Sequence, residues 1–421
     1  MTPAVVAGSS FAATPAGAAF GPIDDDDDTG AKGAAGGVES LEQRVERILR
    51  EYDSFGIHRT GTEGDERCAR WLAEEAKRLG AKTDLESIPF SRLDVKTCYV
   101  EVGGKRIEGV PLFDAPLTGP EGIAGALVEA APGAAGEVGF WLDASPDAAG
   151  GKKFVEHRRT TAQSALIAVT GGEKYRLSPG LALLNAEEYE HPYGVPVVQL
   201  SSEARSAVAG AAGSPVRLVS DAKRTDVLAY NTVATVPGRD ASLPPVGVMT
   251  PRSGWWQCAS ERGGGVAVWV EMLAAVAAAK PARTVNFVAS TGHELGHYGL
   301  TRYLEGRKHL IAGSRAWFHL GANFNTAIVP QVRLAFSDAE LRTFAIDALA
   351  KQGLKPDIET PLGQKPIGEA RNVADGRYIS ITGFNGRFHQ AADRYPEAVD
   401  VPKTIAFAKA YVEMVLALAA A

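Results

Sequence analysis

Residues 246–290 read VGVMTPRSGWWQCASERGGGVAVWVEMLAAVAAAKPARTVNFVAS, and this stretch decides the fold class. It begins with a short apolar run, crosses a glycine-rich loop, continues as a long apolar helical pattern and ends in a second apolar run. A strand, a helix and a second strand in that order are typical of a sheet covered by helices. The sequence therefore predicts an α/β fold, a three-layer arrangement with helices on both faces of a sheet.

The regions on either side of this stretch predict the domain organisation. Apolar residues recur at helical spacing behind Ser40, Asp65 is predicted to cap a second helix, and the C-terminal segment predicts a further helix. Short apolar runs separated by Gly and Pro predict a strand-rich insert over residues 90–225. We expect an α/β domain of residues 39–89 and 226–421 around that insert. Residues 1–38, rich in Ala, Gly, Pro and Asp, predict a disordered leader.

Composition excludes several functional classes. The chain has 421 residues, 45% of them hydrophobic, and a formal net charge of −6, so it lacks the basic excess that nucleic acid or anionic lipid would require. Three cysteines at wide spacing, Cys68, Cys98 and Cys258, do not form a disulfide framework. No run approaches the ~18 apolar residues of a membrane span, and the N-terminus lacks a positive segment typical of a signal peptide. We expect a cytoplasmic protein without nucleic-acid or membrane partners, and its oligomeric state stays open.

Titratable side chains gather in loops that follow predicted strands. The loop after VGVMT carries Arg252, Cys258, Glu261 and Arg262, and the loop after TVNFVAS reads TGHELGHYG. His389 follows a third strand-like run. Because the loops at the carboxyl ends of parallel strands meet at one edge of a sheet, these side chains are candidates for one site. For each loop the alternative is structural: a buried cysteine, a solvated Glu/Arg pair or a packed histidine.

The HELGH segment matches the spacing of a zinc-binding HExxH helix, with His293 and His297 as ligands and Glu294 as base. Three glycines in and around it, Gly292, Gly296 and Gly299, disfavour a helix by about 1 kcal/mol each relative to alanine. No third ligand stands at a spacing that supports such a site. The sequence therefore disfavours a helical zinc-protease motif.

The order of several segments resembles the co-catalytic di-zinc aminopeptidase family, which also includes glutaminyl cyclases and nicastrin, with an inserted protease-associated domain. These segments are GIHRTGTEGDERCARWLAEEAKRLGA at residues 56–81, GVPVVQLSSEARSAV at 194–208, YNTVATVPG at 230–238, TGHELGHYGLTRYL at 291–304 and FHQAADRYPEAVDVPKTIAFAKAYVEMVLALA at 388–419. The resemblance covers most of the chain outside the leader and implies an aminopeptidase-like sheet.

The same resemblance implies five metal ligands and a general base, which this sequence largely lacks. The family's His-x-Asp pair corresponds to Thr250, Pro251 and Arg252, and its bridging Asp corresponds to Ser260. His293 stands at the position of the general base, with Glu294 at the ligand after it, and a further ligand position falls on Gly321. Only Glu294 and His389 match the ligand pattern. Two ligands do not hold a zinc pair, so we expect no metal cofactor or at most one zinc ion.

Three hypotheses follow for the function. The first is a hydrolase acting on a small molecule or short peptide that bears a carboxylate or an amide, with His293, Glu294 and Glu261 as catalytic residues. In this hypothesis His293 is the base, and Glu294 or Glu261 orients its ring. The predicted substrate-binding residues are Arg252, Arg262, Cys258, His297, His319 and His389. The second is a non-catalytic binding protein on a peptidase scaffold. The third keeps one zinc ion on Glu294, His389 and one of His293, His297 or His319. Two weaker alternatives are Cys258 as a nucleophile and a shifted register that recruits Asp240 or Asp338.

Overall fold

The computed structural model describes residues 39–131, 137–146 and 148–420. The predicted leader, residues 1–38, lies outside the described residues. The helices are α1 (Leu41–Ser54), α2 (Glu63–Arg78), α3 (Ala148–Thr160), α4 (Arg205–Gly210), α5 (Gly264–Ala279), α6 (Tyr298–Glu305), α7 (His309–Gly313), α8 (Ala339–Lys351) and α9 (Val401–Ala420).

The first two helices begin at side-chain caps. Ser40 and Gln43 form a reciprocal capping box at α1, so the prediction of Ser40 as a cap is confirmed. The cap of α2 is Thr62, whose hydroxyl accepts a hydrogen bond from the N–H of Asp65. The prediction of Asp65 as the cap is therefore wrong. Asp65 lies one turn inside the helix, and its carboxylate accepts a hydrogen bond from the N–H of Gly61 instead.

The strands form one continuous mixed sheet. They are β1 (Lys82–Val102), β2 (Lys105–Glu108), β3 (Val110–Pro111), β4 (Gly119–Glu129), β5 (Val138–Ala144), β6 (Ala165–Thr170), β7 (Val197–Leu200), β8 (Pro215–Val236), β9 (Val246–Pro251), β10 (Val285–Ser290), β11 (Ala316–Leu320), β12 (Gln331–Phe336), β13 (Ile358–Glu359) and β14 (Tyr378–Phe384). Their order is β13-β12-β14-β11-β9-β10-β8-β4-β5-β6-β7-β3, with β1 paired to β8 and β2.

Helices cover both faces of the central part of this sheet, as the sequence predicts. On one face, α1, α2, α5, α8 and α9 pack their apolar side chains against β9, β10 and β11 in one large cluster. On the other face, α6 packs Leu300, Tyr303 and Leu304 around Trp317 of β11 and Met249 of β9. The alternation of strands and helices read from residues 246–290 therefore gives the fold class correctly.

The insert is joined to the central sheet by two long strands. β1 and β8 pair antiparallel along their length, from Lys82 opposite Thr235 to Val102 opposite Val216. The predicted boundaries, 89/90 and 225/226, fall inside these strands. Within residues 90–225, β4 to β7 pair in parallel and cover their own apolar cluster. The strand-rich character predicted for this region is thus present, but its sheet is continuous with the central one.

One helical stretch, Ala259–Ala279, is long and apolar enough by composition to cross a membrane. The sequence analysis expected no such run. This helix packs between α1, α9 and the sheet, and 72% of its most apolar window is buried inside the protein. Its core position therefore accounts for its hydrophobicity.

Candidate functional site

The candidate site lies where four strands of the central sheet end. β10, β9, β11 and β14 are neighbours in that order, and each pairs in parallel with the next. Their carboxyl ends therefore share one edge of the sheet. Glu261 and Arg262 follow β9, Glu294 follows β10, and His389 follows β14. The structure brings these four side chains together, as the loop positions predict.

Arg262 projects from an unusually wide helical turn. Ala259–Gly263 form a π-helical turn ahead of α5, and Cys258 before it adopts a left-handed φ of 53°. The N–H of Gly263 reaches back five residues to the carbonyl of Cys258, at 3.4 Å. Turns of this kind change the direction of side chains along a helix and are frequent at functional sites.

Arg262 lies between the two carboxylates of the cluster. Its Nη2 is 2.6 Å from Glu294 Oε1 and 2.8 Å from Glu261 Oε1, and all three side chains are buried. Its Nε donates to the carbonyl oxygen of Ser253 at 2.9 Å. Ser253 Oγ also donates to Glu294 Oε2 at 3.2 Å. A guanidinium held on several sides in this way has little freedom to leave the cluster.

The charges in this cluster depend on each other. Burial alone would raise the pKa of Glu261, but Arg262 and His389 outweigh it and lower that pKa to about 2. Burial raises the pKa of Glu294, and Arg262 offsets only part of this effect. Burial would also lower the pKa of Arg262, yet the two carboxylates raise it above its usual value. The guanidinium therefore stays charged and compensates the buried acids.

His389 completes the cluster. Its Nδ1–H donates to the carbonyl oxygen of Leu183 at 2.6 Å, because a carbonyl can only accept. In the neutral ring this leaves the lone pair on Nε2, which faces Glu261 Oε1 at 3.3 Å. One ligand atom each from Glu261, Glu294 and His389 lies within 4.8 Å of the others. Among the described residues this is the only such group of three.

Arg252 does not take part in this cluster. Its Nη1 donates to both the side chain and the carbonyl of Asp65, each at 2.7 Å, and its Nη2 donates to the carbonyl of Tyr230. Arg252 is 0% exposed. Substrate binding stays a prediction for Arg252, whose guanidinium is buried and paired. It joins the loop after β9 to α2 and β8, and its charge is balanced by Asp65.

Cys258 and Ser260 also have structural positions. Cys258 is fully buried, and burial raises the pKa of its thiol well above the usual value. A buried thiol with a raised pKa is a poor nucleophile, and substrate contact by Cys258 stays a prediction. Ser260 Oγ donates to Asp393 at 2.7 Å and does not face Glu294. The acid beside Arg262 and His389 is the next residue, Glu261, and the alignment of the bridging position with Ser260 stays a prediction.

His293 has a different orienting acid from the one expected. Its Nδ1 is 3.3 Å from Glu369 Oε1, and Glu369 accepts hydrogen bonds from Ser290 Oγ at 2.8 Å. The sequence analysis assigned this role to Glu294 or Glu261. Burial, followed by the charge of Arg262, holds the pKa of His293 well below its usual value. His293 keeps 11% of its side chain exposed, so this neutral imidazole is open to solvent.

The remaining predicted substrate-binding histidines are buried. His297 begins α6 with a left-handed φ of 61° and stacks on His293 at 4.9 Å between ring centroids. His319 lies inside β11 beside Ser380 Oγ, at 2.8 Å. Residues 293–297 form turns and not a helix, as their glycines predict. Substrate binding by His297, His319, Arg262 and His389 stays a prediction, and none of these side chains is exposed.

Sequence reasoning missed the acids that hold this site in place. Asp65, Asp393 and Glu369 are all buried, and each contacts a predicted site residue or its neighbour. Burial raises the pKa of Asp393 to about 6. In the sequence, the only indication of a role for Asp393 was its position four residues after His389. Nothing in the sequence indicated a role for Glu369. The nearest acids expected from a shifted register do not contribute: Asp240 pairs with Ser242 at an exposed turn, and Asp338 caps α8.

Comparisons by sequence identify no relative. No family model matches the chain, and no curated protein sequence matches it. Solved structures do match. A zinc aminopeptidase from Bacillus subtilis superimposes with a TM-score of 0.71 at 15% identity, over 89% of this chain and 95% of its own. The chain has an aminopeptidase-like fold.

Two further structures support this aminopeptidase-like fold. An aminopeptidase from Aneurinibacillus sp. strain AM-1 gives a TM-score of 0.64 at 12% identity, covering 87% of this chain and 92% of its own. A peptidase M28 precursor from Shewanella amazonensis gives 0.64 at 14% identity, covering 90% and 97%. At these identities the similarity establishes the shared architecture, including the insert region, and leaves the chemistry to the site residues.

Proposed function

We propose that this protein is a non-catalytic peptidase homologue, in which an internal arginine occupies the centre where a peptidase of this fold would hold metal. The observation that carries the proposal is the position of Arg262 Nη2, 2.6 Å from Glu294 and 2.8 Å from Glu261. A guanidinium at that place supplies the positive charge that these buried carboxylates need. It also repels any divalent cation that approaches the same oxygens.

The described residues do not fit a zinc pair. The position of the His-x-Asp pair holds Thr250 and Arg252, and Arg252 is committed to Asp65. Glu261 could bridge two ions by its charge, but one of its oxygens is already an ion-pair partner of Arg262. A single zinc ion on Glu294 and His389 would have to compete with Arg262 as well, because Glu294 Oε1 already accepts a hydrogen bond from Arg262. We therefore derive no reaction step through a metal.

The proposed role is recognition of a small molecule or a short peptide. The resemblance to the di-zinc aminopeptidase family, and through it to nicastrin, supports a scaffold that keeps the fold without the metal chemistry. We further propose that residues 90–225 are a protease-associated-type insert that supplies part of the recognition surface, and that the protein acts in the cytoplasm. Arg252 is excluded from ligand contact on this account, since its Nη1 donates to Asp65 and its Nη2 donates to Tyr230.

Purified protein tests the proposal directly. We expect less than ~0.1 zinc per chain by elemental analysis and no hydrolysis of aminoacyl p-nitroanilides, with or without added Zn²⁺ or Co²⁺, because Arg262 excludes the ion. Glu294→Gln is the matched control and should show the same background rate as the wild type. Stoichiometric zinc together with turnover that Glu294→Gln abolishes would show that the protein is a working metallopeptidase.

A second candidate, metal-independent hydrolysis, is favoured by the contact between His293 and Glu369. A buried carboxylate beside a solvent-reaching neutral imidazole is an arrangement found in general-base catalysis. On this account Glu369 is a positioning residue, which holds the ring, and His293 takes the proton from water.

Amide and ester substrates bearing a carboxylate discriminate this candidate from a binding protein. If His293 is a base, His293→Gln lowers the rate by roughly 100-fold or more, and Glu369→Gln shifts the pH profile as well as the rate. His191→Gln, at an exposed position, is the control. We expect no turnover to which His293→Gln makes a difference, because the guanidinium of Arg262 is already paired with Glu261 and Glu294 and is not free to stabilise an oxyanion.

A further inference from the structure

Three metal-ligating side chains are held around one guanidinium. Glu261, Glu294 and His389 place one ligand atom each within 4.8 Å of one another. Arg262 Nη2 contacts two of them. We propose that Arg262 is a tethered cation whose replacement by a neutral residue converts this cluster into a site for one divalent ion of the Zn²⁺ class. This inference rests on the proposed function, since it takes the wild-type cluster to be metal-free.

The imidazole is already prepared to bind an ion. His389 donates Nδ1–H to the carbonyl oxygen of Leu183 at 2.6 Å, so the lone pair of Nε2 faces the cluster. A backbone carbonyl that accepts from the distal nitrogen is a common way of orienting metal-bound histidine. Nε2 itself has no hydrogen-bond partner among the described residues. Its contact is with Glu261 Oε1 at 3.3 Å, and an ion bound between these two atoms would replace that contact.

The carboxylates are prepared as well. Neither oxygen of Glu261 accepts a hydrogen bond within the described part of the chain, although Oε1 is paired electrostatically with Arg262. Glu294 Oε2 accepts from Ser253 Oγ at 3.2 Å, which fixes the group and leaves Oε1 to Arg262 alone. Removing the guanidinium therefore frees one oxygen of each acid at the same place.

Charge balance gives the direction of the effect. Two carboxylates face one guanidinium, so the guanidinium balances one of their two negative charges. Without the guanidinium, both carboxylates lie in a buried site with no counter-ion, which is costly unless they gain a proton or a cation. A divalent ion cancels both charges. Two carboxylates and one imidazole form a three-ligand set of the kind that holds Zn²⁺ with one open position.

The choice of substitution follows from shape. Methionine is unbranched, uncharged and shorter than arginine, so Arg262→Met fills the space of the aliphatic part of the side chain and opens the polar end of the site. Arg262→Lys keeps the charge and is the matched control, because its ammonium can still pair with the carboxylates. The double variant Arg262→Met with His389→Ala removes the imidazole and tests whether the binding uses this cluster.

The experiment measures Zn²⁺ binding by equilibrium dialysis, and Co²⁺ binding by visible absorption, with the full-length chain at pH 8. We expect Arg262→Met to bind one ion per chain at least ~100-fold more tightly than the wild type, because a like charge has been removed from the centre. We expect Arg262→Lys and the double variant to resemble the wild type. Zinc should also raise the melting temperature of Arg262→Met and leave that of the wild type unchanged.

The remaining outcomes contradict either this inference or the proposed function. A folded Arg262→Met that binds no more zinc than the wild type overturns the inference and leaves the proposed function intact. A variant Arg262→Met that folds neither without zinc nor with it also overturns the inference, because a bound ion would have supplied the positive charge that the two carboxylates need. Binding retained by the double variant places the ion elsewhere and has the same consequence. Wild-type protein that binds one zinc per chain contradicts the proposed function itself.

Discussion

Replacing Arg252 by methionine is expected to lower the free energy of unfolding by about 3–5 kcal/mol, because it leaves the buried carboxylate of Asp65 without a counter-charge. Both partners are essentially inaccessible, with 0% and 1% of their side chains exposed, and their oxygen and nitrogen atoms are 2.7 Å apart. Burial raises the pKa of Asp65 despite this pairing. Denaturant unfolding of the wild type and the variant measures the change.

A double-mutant cycle separates the ion pair from the loss of packing. Adding Asp65→Asn to Arg252→Met removes the unpaired charge while an amide oxygen still accepts from Gly61 and Thr291, so we expect part of the stability to return. Arg70→Met is the control, since Arg70 pairs with Glu66 on the exposed face of α2 and such pairs contribute less than about 1 kcal/mol. If Arg252→Met costs no more than Arg70→Met, the pair does not stabilise the loop as described.

His58 is expected to make the protein sensitive to acid. Its ring stacks on Tyr52 at 3.9 Å between centroids, its Nε2–H donates to the carbonyl of Tyr52, and it is fully buried. Burial lowers the pKa of His58 to about 3, from the usual 6.5 of a histidine. The unfolded chain therefore takes up a proton below pH 6.5 while the folded chain does not. Stability from this group is complete above pH 6.5 and falls as the pH decreases toward 3.

The variant His58→Phe keeps an aromatic ring against Tyr52 and removes this titration. Between pH 6.5 and pH 4.5 the wild type should lose about 2–3 kcal/mol more than His58→Phe in the free energy of unfolding. Leu49→Ala is the control, because a cavity in the same core lowers stability at every pH and leaves the slope unchanged. Equal slopes for the wild type and His58→Phe, measured by urea unfolding across this range, would contradict the assignment.

Hydrophobic patterns predicted the parts of the fold that depend on neighbours in sequence. The apolar runs at residues 246–250 and 285–289 are strands, the stretch between them contains a helix, and Ser40 caps the first helix. Each of these follows from periodicity or from a local hydrogen bond within a few residues. The boundaries of the insert stay a prediction, and they fall inside β1 and β8, which continue from one part of the sheet into the other.

The partners of the charged residues could not be predicted in the same way. Arg252 and Asp65 are 187 positions apart, and nothing in either segment indicates the other. The prediction that Glu261 or Glu294 orients His293 failed for the same reason. The acid beside His293 is Glu369, which lies in a 3₁₀ helix far from His293 in the sequence. The sequence identified which loops carry titratable groups, and it did not indicate which of these groups neutralise each other.

The sequence by itself therefore determined that this chain builds a sheet between helices and gathers Glu261, Arg262, Glu294 and His389 on loops at one edge. Tertiary structure decided that Arg262 turns inward to the two acids while Arg252 turns away to Asp65. The physical reason is that helical and strand periodicity is a local property of the chain. The pairing of buried charges is set instead by distances of a few ångströms between residues that folding alone makes neighbours.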